Sequence, residues 1–367
     1  MLDFLAQGQW LVVVLAPVLA AGLTGALMVP AARWGLIDHP GHRKVHDHPT
    51  PLVGGLAMLL TLLILQAAVG HVPFDSWSLL IAVLLVTVIG VADDARELSH
   101  RAKFVAQALG AVVIVSGTSV WVTSLGDLVG LGAIDLGKWS LLVTIIAFVG
   151  VMNAINMIDG LDGLAGSVSV VPVMFLAFLA ATGDATGMLF ELLLFAGTIL
   201  GFLSLNVRLA GRRKALVFMG DTGGMVIGML LAWYSIKLAG SPASAINPMT
   251  AVWILAVPLL EMGSVMLLRL SQRKSPFHAD QQHMHHILLK AGYSVNQVVA
   301  IQVGFSLMFG TIGIAAERYG VPEVVMFFGF LGLWGGYVVG LANPKGLQVI
   351  ARRLIRPLSV RSDSGLA

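Results

Sequence analysis

The chain has 367 residues, 57% of them hydrophobic and 11% charged, with a mean hydropathy of +0.89; a soluble domain carries about 25% charge. This balance excludes an ordinary soluble enzyme and points to a membrane protein. In a chain with many spans, the basic excess behind a pI of about 9.3 marks loops on one side of the bilayer, so no nucleic-acid partner is expected. The absence of cysteine excludes disulfides and thiol chemistry.

Apolar runs of roughly 17–25 residues can cross a bilayer as helices. In chain order they fall at 10–30, 52–69, 77–92, 104–122, 139–157, 164–182, 188–205, 224–240, 249–268, 297–316 and 323–342. The prediction is an all-α, polytopic integral membrane protein of about eleven transmembrane helices. Residues 1–342 form a single transmembrane catalytic domain, and 343–367 a basic cytoplasmic tail. The first basic residue, Arg33, follows the first apolar run. The charged start of a cleavable leader is therefore missing, and that run is read as a retained span.

Charge sets the orientation. With the N-terminus outside, the inside stretches collect every Lys and Arg of the 22 except Lys138, Lys237 and Arg318. Cytoplasmic loops carry such an excess. The same face collects all ten His except His71. The tail after Asn343 then lies in the cytoplasm.

Five polar clusters lie on that face. The first, Asp38 to Pro51, holds Arg43, Lys44 and His46 among three prolines. The prolines forbid a regular helix. The cations suit either a phosphate or an anionic lipid surface. The second ends the third run with Asp93 and Asp94, followed by Lys103. If helical, the two carboxylates point about 100° apart and serve two neighbours rather than share one proton. Lys103 is either a border anchor or a phosphate ligand.

The third cluster is Asn153-x-x-Asn156-x-x-Asp159-Gly-x-Asp162-Gly163, with amides and carboxylates at every third residue. Ionisable groups at a bilayer edge are functional by default, and a capped helix end needs one such residue rather than four. The fourth, Phe218-Met-Gly-Asp221-Thr-Gly-Gly224, puts an Asp in a Gly-rich turn before a helix. That is an N-cap or a metal ligand beside a phosphate-binding turn. The fifth runs from Ser275-Pro-Phe to His283, His285 and His286. Zinc is one reading, an ordinary polar loop another, and histidines donating to phosphates a third.

Carboxylate and amide oxygens among basic loops suit Mg²⁺ or Mn²⁺ bound with substrate phosphates. A soluble phosphorylated substrate meeting a membrane-bound one accounts for the set. On these motifs, spanning about residues 33–294, the chain resembles the polyprenyl-phosphate N-acetylhexosamine-1-phosphate transferases. These are of the glycosyltransferase 4 type, and the chain is most similar to the bacterial undecaprenyl-phosphate GlcNAc-1-phosphate branch that starts O-antigen and related cell-envelope glycans.

The resemblance implies transfer of a sugar-1-phosphate from a UDP-N-acetylhexosamine, GlcNAc first, to undecaprenyl phosphate, with release of UMP. It implies a bacterial inner-membrane location with the active site facing the cytoplasm. A homodimer is compatible with it and not required. By matching positions, Asp221 and Asn156 are metal ligands, and Asp93, Asp94 and Asp159 are catalytic. Lys103 lies near the lipid phosphate and Asp162 meets the uracil. Asn153, Phe218, Arg43, Lys44, His46, His283, His285 and His286 bind substrate. Two departures stand out: Gln281 replaces a usual Arg, and Gly224 stands where Ser is common.

A phosphate monoester loses its second proton near pH 6, so the lipid phosphate is already nucleophilic at neutral pH. In-line attack on the β-phosphorus is expected, and a covalent aspartyl-phosphate route stays open. Three other protein classes differ from this pattern. An ion-coupled transporter places acids near the midplane on broken helices. A CDP-alcohol phosphotransferase would show further spaced Asp residues after Asp162. The phospho-MurNAc-pentapeptide transferase of peptidoglycan shares the Asp motifs but not the Arg43-Lys44-x-His46 and Ser275-Pro-Phe stretches.

Overall fold

In lipid, each backbone N–H and C=O must be satisfied within its own segment, so long apolar runs become helices. The structure, a computed structural model, describes residues 9–40, 48–70, 74, 76–183, 185–209, 211–240, 246–276 and 281–359, the last six of these by backbone alone. Helix α1 (Gln9–Ala31) leads to a two-residue antiparallel ladder, β1 (Ile37–Asp38) with β2 (Thr50–Pro51). The proline-rich stretch is thus non-helical at both its described ends, as expected, and this short ladder is the one sheet in an otherwise all-α set of described elements.

Helices α2 (Gly54–Ala68), α3 (Trp77–Arg96), α4 (His100–Gly117), α5 (Ser140–Ile158), α6 (Leu164–Thr182), α7 (Thr186–Asn206) and α8 (Gly220–Ala239) follow. Then come α9 (Pro248–Ile254), α10 (Ala256–Ser271), α11 (Met284–Ala291), α12 (Val295–Arg318), α13 (Glu323–Ala342) and α14 (Pro344–Ser359). Every apolar run of the sequence contains a helix. Among the described residues, however, 8 helices are long and apolar enough to cross a membrane, or 9 if one bent pair counts as a span. Helix α2 is short at 15 residues, and α4 opens with His100, Arg101 and Lys103.

The bent pair corrects the expected span 249–268, which is broken rather than continuous. Helices α9 and α10 meet at 82°. Pro258 lacks the N–H that would bond to Ile254, and its ring crowds that carbonyl. Ser76, Ser99 and Ser294 cap α3, α4 and α12 through side-chain acceptance of a backbone N–H. Ser294 and Gln297 form a reciprocal capping box.

Helix α8 is the axle of the bundle, with 89% of its spanning window buried, against 17% for α1 and 11% for α13. Its small residues admit neighbouring backbones, as membrane helix packing requires. Gly223 lies against Gly55 of α2, and Gly228 against Met152 of α5. On α3, Gly90 lies against the backbone of Thr222.

A side chain at position 90 meets backbone rather than a movable side-chain end. Gly90→Val is therefore expected to destabilise the bundle by about 1–3 kcal/mol. A lower thermal midpoint in detergent, with Gly90→Ala between it and the parent, is the expected measurement.

Candidate active site

The described residues 32–39 and 49–52, the α3–α4 turn, the α5–α6 turn, the α7–α8 connection and the start of α11 meet at one end of the bundle. They enclose a cavity of about 1160 Å³ whose wall includes Asp93, Asp94, Asn156, Asp159, Asp162, Phe218, Asp221 and His286. A second groove, of about 810 Å³ between α6 and α12, is apolar apart from its Arg318 end and holds none of these residues.

The start of α8 organises the wall. Its N-cap position, Met219, makes no side-chain cap bond, so the first N–H groups need an outside acceptor. Asp94 supplies it: Oδ1 accepts from Asp221 N at 2.7 Å, and Oδ2 from Thr222 N at 3.2 Å and Thr222 Oγ1 at 2.7 Å. A carboxylate is also favoured there by the helix dipole. Gly220 has φ +71°, and a Cβ on it would meet the Asp94 carboxylate. Only glycine fits that place without strain.

Asp93 turns the other way. Its Oδ1 accepts from Leu98 N at 2.6 Å, and its backbone carbonyl accepts from Glu97 N at 2.8 Å, which ties the α3–α4 turn. Its Oδ2 pairs with Lys103 Nζ at 2.8 Å, and the same ammonium lies 2.6 Å from Asp221 Oδ2. The adjacent carboxylates thus serve separate neighbours, and one lysine bridges the first of them to α8.

The α5–α6 turn provides the opposite wall. Asn156 ends α5 with its Oδ1 against Gly224, one turn inside α8 from Asp221. Any Cβ at Gly224 would overlap that oxygen, so the glycine at a position where Ser is common makes room for the amide. Asp162 is tied down by Arg208 Nε at 2.7 Å and by Ala215 N at 3.1 Å. Asn206 fixes the turn beside it, accepting from Gly163 N and donating to Val217 O, each at 2.8 Å. The Phe218 backbone is held by Gly54 N, which donates to its carbonyl at 3.1 Å, and by its own N–H, which donates to Pro51 O at 2.8 Å.

Asp159 makes no side-chain hydrogen bond among the described residues. It is open to water inside the cavity, yet protein surrounds it closely. Lost bulk solvation, then the carboxylates of Asp221, Asp94 and Asp162, push it up to about 7.

The histidines divide. His286 lies in the cavity wall, while His283 and His285 are buried behind it. Burial, then the neighbouring His286 and His283, hold His285 well below the ordinary histidine range, so it is neutral at neutral pH. Asn153 is not part of the wall; its amide donates to Gln107 Oε1 at 2.7 Å and Val149 O at 2.8 Å. Arg43, Lys44 and His46 lie outside the described residues.

Sequence reasoning passed over Thr222, Asn206 and Arg208, which hold Asp94, the α5–α6 turn and Asp162. Asn206 and Arg208 carried a readable signal, being polar residues at the end of an apolar run. Thr222 carried none. The oxygens of Asp221, Asn156 and Asp159 are the hard donors that a small divalent cation takes. The ammonium already set against Asp221 marks that carboxylate as a cation position.

Fold and site together describe a polytopic membrane protein with an acid- and amide-lined cavity at one end of its bundle, two of its acids paired with Lys103. The model of glycosyl transferase family 4 matches residues 76–239. The chain is 31% identical over 339 residues to the undecaprenyl-phosphate alpha-N-acetylglucosaminyl 1-phosphate transferase of Haemophilus influenzae, covering 92% of this chain and 96% of that protein. It is 33% identical over 303 residues to the proteins of the same name from Yersinia pestis and Escherichia coli K12, covering 82% of each chain. This chain belongs to glycosyl transferase family 4.

The raised Asp159 carboxyl has a consequence for stability. Below its ordinary value of 3.8, folded and unfolded chains both hold the proton; above about 7, neither does. Stability linked to the proton is therefore present at low pH and lost as pH rises through about 7. In chelator-treated protein, the thermal midpoint is expected to fall between about pH 5 and pH 8, and Asp159→Asn to flatten that slope.

Proposed function

We propose that this chain transfers N-acetylglucosamine-1-phosphate from UDP-GlcNAc to undecaprenyl phosphate, releasing UMP, as the first membrane step of a cell-envelope glycan. The observation that carries the reading is the convergence of oxygen donors from α3, α5 and α8 with Lys103 of α4 on one cavity. The relatives' printed names supply the acceptor lipid and the sugar. The loops and helix ends on this side hold Arg96, Arg101, Arg208, Arg212, Arg213, Lys214, Arg269, Arg273, Lys274 and Lys290. By the positive-inside rule this supports a cytoplasmic face in the bacterial inner membrane.

The acceptor phosphate and the donor pyrophosphate are both anions, so catalysis must first hold them together. Lys103, paired with Asp93 and Asp221, offsets part of the repulsion. Asp94 holds the first turn of α8 and with it Asp221. The lipid phosphate loses its second proton near pH 6 and is mostly the dianion at neutral pH, so Asp159 in the cavity wall serves as proton acceptor only for the remaining monoanion. An oxygen of the lipid phosphate then bonds to the β-phosphorus in line, and the bond from that phosphorus to the bridging oxygen breaks, with the electron pair leaving on UMP. Asp221 and Asn156 would hold Mg²⁺, with Mn²⁺ as a substitute. When bound, the ion supplies Lewis-acid neutralisation of pyrophosphate charge. Asp162, fixed by Arg208, and Phe218 border the nucleotide, and His286 faces the phosphates.

The test is a membrane assay with radiolabelled UDP-GlcNAc and UDP-GalNAc. A butanol-soluble product from UDP-GlcNAc that vanishes with EDTA is expected, and product from UDP-GalNAc alone would move the sugar assignment. Asp221→Asn is expected to lower turnover chiefly through metal affinity, so added Mg²⁺ restores part of the rate. No recovery at any concentration would remove Asp221 from the ion's ligands.

A further inference from the structure

Glu261 lies within the apolar helix α10 and is buried, with 1% of its surface exposed. A carboxylate in a spanning segment is costly and is kept where it has partners and a task. Its partners come from two distant stretches of chain. Oε1 accepts from Met284 N at 2.9 Å and from His283 Nδ1 at 3.0 Å. Oε2 accepts from the Tyr337 hydroxyl on α13. Glu261 therefore pins the start of α11 to two long helices.

The other side of the same histidine is also faced from α10. Arg269 Nη2 lies 3.4 Å from His283 Nε2, and its Nη1 donates to Pro276 O at 2.7 Å. A guanidinium only donates, so Nε2 is the acceptor and the proton sits on Nδ1, directed at Glu261. One helix thus fixes the ring's place and its tautomer. From there the ring contacts run outward. His283 stacks on His285 with centroids 5.4 Å apart, and His285 lies 4.3 Å from His286, which borders the cavity.

We propose that Glu261, with Tyr337, is a positioning residue: a latch that fastens the His283–His286 segment to α10 and α13 and so sets His286 in the cavity wall. The latch acts on capture of the nucleotide-sugar rather than of the lipid phosphate, and this half rests on the function proposed above. Glu261, His283 and His285 also present ligand atoms within 4.8 Å of one another. A metal ion is disfavoured there, because Arg269 directs positive charge at the His283 ring and both Glu261 oxygens already accept hydrogen bonds.

Glu261→Leu, Glu261→Gln and Tyr337→Phe in the full-length protein test this by hydrogen–deuterium exchange over residues 281–291 and by steady-state kinetics. Glu261→Leu is expected to speed exchange in that stretch and raise KM for UDP-GlcNAc about tenfold, with KM for undecaprenyl phosphate within about twofold of the parent. Glu261→Gln, which keeps an acceptor for Met284 N–H, should recover most of both. Tyr337→Phe should fall between, and should add nothing to Glu261→Leu. Unchanged exchange in all three variants would overturn the latch. So would a loss confined to kcat, an equal rise in both KM values, or loss of parent activity to a zinc-selective chelator with Mg²⁺ present. If the parent transfers no GlcNAc-1-phosphate, the functional reading fails and exchange alone decides the latch.

Discussion

The geometry of the cavity depends on how the first turn of α8 is received by its neighbours. That turn brings orphan N–H groups into a protein interior at the edge of a bilayer, where an unsatisfied donor costs about 1–3 kcal/mol. Asp94 meets those donors from α3. Glycines at 220, 223 and 224 let α3, α2 and α5 come close enough for contact. Asp221 is held in the wall by this arrangement, and Asn156 is brought against Gly224 one turn further along α8. Chemistry and packing share the same atoms: the carboxylate that caps the helix is also a wall of the cavity.

The electrostatics follow from that crowding. Asp93, Asp94, Asp159, Asp162 and Asp221 share one cavity, so several negative groups there need partners. The protein answers differently at each. Asp162 has Arg208, Asp93 and Asp221 share Lys103, and Asp94 has the dipole and N–H groups of α8. Asp159 is left with water and neighbouring negative charge, and its carboxyl is pushed up to about 7.

Most of the fold was legible because spans are written in composition. The bundle-end location of the acids was legible because charges gather in loops. The divergence of Asp93 and Asp94 followed from 100° per residue along a helix. The break between α9 and α10 was missed, although Pro258 stood in the run, because hydropathy averages over a window and a proline barely moves the average. The helical state of 344–359 was missed because the tail was read through its charge alone. Tyr293 Oη donates to Ala351 O at 3.0 Å, and Arg352 Nη2 to Lys290 O at 3.0 Å, so the tail is docked against α11. Thr222 and the role of Gly224 depend on which helices touch, and that contact map is not written in any local pattern.

Lys103 stands where two carboxylates, 128 positions apart in the chain, approach one another. It is a resident counterion, keeping that pair of negative charges tolerable before any ligand arrives. Occupation of the cavity by a cation would then be an exchange rather than a filling: the ion would take over part of the lysine's duty, and the freed ammonium would become available to the next anion through the door. Affinity for the first visitor would be lowered by the grip on the lysine, and affinity for the second raised by its release.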